Sequence, residues 1–279
     1  MKRKRASAST EIVEVSRVLS CQLDVLDVTS HVQSVKYVYN AYQHAWEAYV
    51  QYVEAFARER VPMLLVGMNP GPWGMAQTGV PFGDVVAVTE FLKISRTDVK
   101  RPKRECPSRR VLGFDCPRRE VSGTRLWGFM ERRFGSSEQM RQALFVYNYC
   151  PLSFMSASGA NVTLDKLPLN LRGEVQRLCD KALLDLITVL QPQVVVGIGI
   201  YVGNRIKSLD VPSELVRAVI QHPSPASPSG RKWESASGFN ELQLGPPADH
   251  VDLDATLPTP EKPAQDCNRS KFADMRNRP

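Results

Sequence analysis

Histidine is scarce in this chain. There are four in 279 residues, at positions 31, 44, 222 and 250, and no two stand at metal-ligand spacing. The six cysteines include no CxxC, which excludes zinc-ribbon and thioredoxin-like sites, and six thiols in a chain this long do not make a disulfide scaffold. Cys106 and Cys116 are the one local pair, and two scattered thiols are the reading preferred to a metal site. Long apolar runs are missing too. The longest, such as 194–203, are about half of what a bilayer needs, so no membrane-spanning segment is expected. Glycine (17) and proline (20) are near average usage, which excludes collagen-like and wholly disordered chains. Lys2, Arg3, Lys4 and Arg5 open the sequence with no apolar stretch behind them, so no secretory leader is read there and reduced thiols in the cytosol or nucleus are expected.

Positive charge is plentiful, and it is local. The net charge is +7 with a pI near 9.1. Between Lys93 and Arg119 ten basic residues stand against three acidic ones, so this one window accounts for the whole excess. It reads either as a solvated loop or as a surface that attracts polyanions. The opening cluster is likewise either a nuclear-import tag or a charged tail. Residues 1–30 are polar and weakly periodic, and 246–279 are Pro-rich and poor in aromatics. Both are expected to be disordered tails, basic and Pro-rich respectively, around one domain at 31–245 without internal repeats.

Within that domain apolar runs alternate with helical patterns. Tyr39, Tyr42, Trp46, Tyr49, Val53 and Phe56 recur at three- and four-residue spacing, which predicts an amphipathic helix with a core-packing stripe. Short Val/Ile/Leu-rich runs at 63–67, 144–148, 194–198 and 217–221 predict strands, and a long helix is expected over about 172–190. Such continuous runs imply burial on both faces, hence an α/β fold with a parallel sheet flanked by helices. Ligands of open parallel sheets bind outside the carboxyl ends of the strands. Those ends lead into Asn69, Asn148 and His222, each near proline.

None of these ends carries a Ser, Cys or Lys nucleophile, a carboxylate pair or a phosphate-cradling glycine loop. GIGIYVG at 197–203 follows the third strand with no acidic ribose partner, and so does not read as a dinucleotide site. An amide-rich site remains. An Asn side chain presents one acceptor and two donors in a plane, which matches the edge of a nucleobase. Phe82 and Trp73 offer rings for stacking, worth about 1–3 kcal/mol per base. Glycines at 67, 71, 74, 79 and 83 allow close backbone approach. A strand-end Asn is usually a helix cap and a lone His a core group; three such residues after three strands weigh against that reading and towards nucleic-acid base chemistry.

Four segments carry a resemblance: GMNPGPWGMAQTGVPFG (67–83), VSGTRLWG (121–128), YNYCPL (147–152) and HPSP (222–225). Over about 35–244 the chain resembles the single-strand-selective monofunctional branch of the uracil-DNA glycosylase superfamily. The resemblance implies a three-layer α/β/α sandwich around a four-stranded parallel sheet. It implies excision of uracil, or of 5-substituted uracils such as 5-hydroxymethyluracil, from single- or double-stranded DNA. Asn69 would orient the attacking water and His222 would donate to uracil O2. Asn148 would read the pyrimidine edge, Phe82 would stack, and Met68 and Gly71 would contribute backbone. Ser158, Gly159, Asn161, Thr163, Lys166 and Arg172 would line the DNA with Ser224. Where the family usually places a wedging Arg this chain has Ala226, which leaves Arg231 and Lys232 as candidates. Trp73 stands in for a usual Phe. The cysteines do not fit an iron–sulfur pattern, and no cofactor or metal is expected. The implied protein is a nuclear monomer acting on DNA that contains uracil or oxidised pyrimidines, without membrane partners. The competing reading from another class is a non-catalytic binder of damaged or single-stranded DNA. A nucleoside hydrolase would want an aspartate-rich calcium site, which the sequence lacks.

Overall fold

The computed structural model describes residues 6–26, 28–225 and 233. In chain order these form α1 (Ala8–Asp24), α2 (Val28–His31), β1 (Tyr37–Asn40), α3 (Ala41–His44), α4 (Trp46–Phe56), β2 (Met63–Gly67) and α5 (Met75–Thr78). A π-helical turn (Ala87–Phe91) and a long loop lead to α6 (Val121–Phe134) and α7 (Ser137–Ala143). Then come β3 (Leu144–Asn148), β4 (Leu152–Met155), β5 (Asn161–Val162), α8 (Leu169–Leu190), β6 (Val194–Ile198), α9 (Ile200–Ser208) and β7 (Val216–Ile220).

The central sheet has the order β3-β2-β6-β7, with all pairings parallel, between helical layers. This is the expected three-layer α/β/α arrangement. β2 and β3 are buried throughout, as continuous apolar runs require. β7 differs. It is an edge strand that starts one residue before the expected run, and Val216 and Val219 are exposed.

A second, antiparallel sheet, β1-β4-β5, was not expected. Its strands have four, four and two residues, too short for a periodic signal. It also corrects the aromatic stripe. Tyr39 lies in β1, and the helix over 42–56 is two helices broken at Ala45, whose φ and ψ of −123° and 39° are not helical. The first of them starts where Asn40 Oδ1 accepts the Tyr42 N–H at 3.2 Å, a side-chain cap.

The expectation of a disordered tail over 1–30 fails for residues 8–24. They form α1, capped by Ser7 accepting the Thr10 N–H at 3.2 Å. Ile12, Leu19 and Leu23 are buried in the core, each worth roughly 1.5–3 kcal/mol of transfer free energy. Ser16 and Ser20 share that buried stripe, and Ser16 Oγ hydrogen-bonds Tyr49 OH at 2.5 Å, so the face reads as polar in sequence while it packs on α4. Lys2–Arg5, the 246–279 tail, Ala226, Arg231 and Lys232 lie outside the described residues. Among the described residues no helix is long and apolar enough to cross a membrane.

Candidate active site

The strand order sets the carboxyl ends of β3, β2, β6 and β7 in a row. Asn148 closes β3, in register with Gly67, the last residue of β2. Two further backbone bonds carry this pairing beyond the strands. Tyr149 N–H donates to Gly67 O and Cys150 N–H to Met68 O, both at 2.9 Å. Met68 and Asn69 therefore leave the sheet alongside 148–150, and Asn69 Nδ2 donates to Leu152 O at 3.4 Å.

Gly67 is the floor of the crevice. A Cβ there would lie 2.3 Å from Asn148 Oδ1 and 2.4 Å from Phe82 Cε2, so only a glycine lets that amide and that ring share the end of β2. Asn148 is 2% exposed. Its Nδ2 reaches Met75 Sδ at 3.0 Å, a weak acceptor, and its Oδ1 has no partner among the described residues. A buried amide oxygen without a partner costs about 1–3 kcal/mol, and such groups call for an explanation.

Phe82 holds φ +55°, a left-handed backbone that a bulky residue rarely takes. Its neighbours enforce it. Thr78 Oγ1 donates to Gly83 O at 2.6 Å and Gly83 N–H to Val80 O at 2.9 Å. The Phe82 carbonyl presses on α6 so closely that a Cβ at Gly123 would stand 1.9 Å from it.

His222 approaches from β7. Its ring centroid is 6.0 Å from that of Phe82, and its Cβ packs over Gly199, the residue after β6, at φ +93°. Gly197, within β6, instead faces α9, where a Cβ would lie 2.6 Å from Gly203 N. Ser224 N–H donates to His222 Nδ1 at 3.1 Å. Nδ1 is thus an acceptor, and the neutral ring carries its proton on Nε2, which has no partner among the described residues. Burial lowers the His222 pKa from its ordinary value, so the ring is neutral at pH 7.

Sequence reasoning missed the braces. Arg125 Nη1 donates to Pro223 O at 3.0 Å, so α6 supports the histidine loop as well as the Phe82 turn. Asp84 is fully buried and accepts from Ala87 N–H, Arg119 Nε, Glu120 N–H and Thr124 Oγ1 at 2.8–3.3 Å. Glu120 accepts Trp73 N–H at 3.2 Å and fills the space where Gly71 would carry a Cβ; burial raises its pKa. Of these braces only Thr124 and Arg125 fall in a resemblance segment, 121–128, and the resemblance assigns them no task.

The residues expected along the DNA are spread over the β4–β5 hairpin and the start of α8. Ser158 O accepts Ser108 Oγ at 2.9 Å and Gly159 O accepts Arg109 Nε at 3.1 Å. Arg109 and Arg118 both lie over the Trp73 ring, at 5.2 and 4.2 Å. Part of the basic window is therefore fastened between the hairpin and the loop after β2. Asn161 pairs with Met155, Thr163 is half-buried, Lys166 is exposed, and Arg172 Nη1 donates to Asp165 O at 2.8 Å. Ser224 is half-buried beside the histidine. Among the described residues no three His, Cys, Asp or Glu side chains form a metal-binding group.

Comparison with known proteins fits this arrangement. The single-strand selective monofunctional uracil DNA glycosylase of Bos taurus is 41% identical over 216 residues, 75% of this chain and 78% of that protein. The Rattus norvegicus protein of the same description is 38% identical over 231 residues, 82% of this chain and 83% of its own length. The chain belongs to the single-strand-selective monofunctional uracil-DNA glycosylase family. The Mus musculus member is 38% identical over 216 residues, 76% of this chain and 77% of that protein. The crystal structure of wild-type Pedobacter heparinus SMUG2 superposes with a TM-score of 0.57 over 84% of this chain and 92% of that one, at 16% identity, which speaks for the fold alone. No family model matches the chain.

Proposed function

We propose that this member of the glycosylase family flips uracil out of DNA and hydrolyses its N-glycosidic bond, leaving an abasic site. The observation that carries the reading is the buried Oδ1 of Asn148, unpartnered among the described residues, set over Gly67 beside the Phe82 ring and across from His222. Uracil offers an N–H at N3 between two carbonyls. Asn148 Oδ1 accepts that N–H, Nδ2 turns from the weak Met75 sulfur to O4, and Phe82 stacks on the ring.

Breaking C1′–N1 places negative charge on the departing uracil and positive charge on the sugar. A fixed Nε2–H from neutral His222 towards O2 stabilises the anion more than the ground state. A donor of this kind is worth about 2.7–4 kcal/mol. Asn69 cannot take a proton as a carboxylate does, so it orients the attacking water. Phosphates of the DNA stabilise the cationic sugar. Extrusion of the base costs a few kcal/mol, least in single strands and mismatches.

As a member of this family the chain is a hydrolase of N-glycosyl bonds that acts in base-excision repair. The finer reading extends the substrate to 5-hydroxymethyluracil and to double-stranded DNA, and places the protein in the nucleus as a monomer. It takes 31–245 as the catalytic domain, joined by α1. Ser158–Arg172 and Ser224 line the DNA in this reading, and Arg231 or Lys232 supplies the wedge. The test is a panel of uracil, 5-hydroxymethyluracil, thymine and hypoxanthine in single- and double-stranded oligonucleotides, each treated with hot alkali after incubation. Strand cleavage at uracil and 5-hydroxymethyluracil is expected. Tight binding without cleavage at any base would make the protein a binder and not an enzyme.

A further inference from the structure

Leu152, whose carbonyl accepts from Asn69, also lines a groove of about 490 Å³ between the end of α1 with α2 and residues 100–104. That volume is in the range that holds a nucleotide-sized ligand. One wall is apolar and includes Val25, 81% exposed, and the buried Val28. The other carries Lys100, Arg101, Lys103 and Arg104, all exposed. Asp24 is the single carboxylate of the lining. Lys100, Lys103 and Arg104 have no carboxylate partner among the described residues, and Arg101 reaches Glu105 at 4.0 Å. These cations stand on an ordered support, since Lys100 N–H donates to His44 O at 2.8 Å and Arg104 lies over the Tyr37 ring at 5.5 Å.

We infer that this groove holds nucleotides of a single DNA strand flanking the flipped base, with phosphates on residues 100–104 and base faces on the apolar wall. The inference deepens the proposed function and rests on it. Two links tie the groove to the crevice. Leu152, in its lining, accepts from Asn69, and His44 Nε2, also in its lining, bonds to Ala76 O at 2.7 Å within the segment after β2. The basic segment itself runs on from the groove to Arg109 and Arg118, stacked on Trp73. One basic segment therefore lays a path of cations from the groove to the loop after β2. A strand with a charge at every nucleotide and a flat apolar face on every base fits such a path, and an acidic peptide offers no flat faces for the apolar wall.

The test measures binding of uracil-free oligothymidylates of four and twelve nucleotides to the full chain by fluorescence anisotropy across a salt series. The variant is Lys100→Gln, Arg101→Gln, Lys103→Gln and Arg104→Gln together. The control removes the same charge elsewhere, at Arg60, Arg177, Lys181 and Lys207, all exposed. For each phosphate no longer neutralised, the slope of log affinity against log salt should become shallower by about 0.7, and affinity at 0.1 M salt should fall roughly 5-fold. The advantage of the twelve-mer over the four-mer should shrink in the variant and persist in the control. Equal losses in both variants, or an acidic peptide of equal charge binding the wild type more tightly than the twelve-mer, would overturn the inference. Lys103→Glu alone, with an unchanged melting curve, repeats the test if the fourfold variant is unstable. Because the strand contains no uracil, a protein that excises nothing would fail the substrate panel and could still pass here.

Discussion

Asn148 and His222 face one crevice from strands of opposite character. Asn148 ends a strand buried along its whole length, continues the ladder past its end, and lies where a methyl group on Gly67 could not fit. The next side chain ties it down further. Tyr149 OH donates to Asp180 at 2.7 Å, and Asp180 pairs with Arg205 of α9. His222 follows an edge strand with an exposed face and depends on Arg125, Gly199 and the Ser224 N–H for its orientation. In the proposed reading, base recognition is thus set in the core and the electrostatic donor sits at the sheet margin. Damage at the first should cost folding along with function, and damage at the second should cost function alone.

The largest expected effect breaks the comparison at its catalytic end. Replacing His222 by Leu should lower single-turnover excision about 10²–10³-fold, with the melting temperature and DNA affinity nearly unchanged. Near-normal turnover would remove His222 from the chemistry. Gly67→Ala tests the other end. The added Cβ must displace the Asn148 amide or the Phe82 ring, so excision should be lost and stability should fall by about 1–3 kcal/mol in denaturant titration. Wild-type stability in this variant would mean that the floor of the crevice yields more readily than its packing suggests.

A milder change sharpens the recognition side. Asn148→Asp keeps the shape but offers only acceptors, so it should accept from the cytosine amino group and weaken discrimination against cytosine in oligonucleotide assays. Unchanged base preference would show that the edge is read elsewhere. The smallest effect is in pH. His222 and His44 both have pKa values lowered by burial, so the unfolded chain takes up their protons first as pH falls through 6.5. Stability should therefore fall below that pH and be insensitive to these groups above it. Nitrogen-15 NMR should find the His222 ring neutral at pH 7, protonated on Nε2, and titrating below 6.5. A ring charged at pH 7 would contradict the geometry.

The parts of this molecule legible from sequence are those whose signal is local. β2, β3 and β6 are readable at their observed bounds because an unbroken apolar run has one comfortable place, inside a covered sheet. Asn69, Asn148 and His222 can be grouped because each stands at or just beyond the carboxyl end of a Val/Ile/Leu-rich run. α1 escapes a sequence reading because its buried face includes two serines, one of which finds its partner 33 residues away on α4. Asp84 and Arg125 are invisible as braces for the same reason. A carboxylate that collects donors from 87, 119, 120 and 124, or a guanidinium that finds a carbonyl at 223, has no spacing that a sequence could display. The basic window admits two readings on charge alone, and the stacking of Arg109 and Arg118 on Trp73 shows that part of it is fastened to the loop after β2.

The lone acceptor in Asn148 also has a bearing on inhibition. Any small planar amide or imide that satisfies this oxygen relieves a desolvation cost the folded chain otherwise carries, and should raise the melting temperature in proportion to its occupancy. The liberated base is such a molecule. Turnover should therefore slow as product accumulates, and the starting point for a blocking compound is a flat ring with one inward N–H.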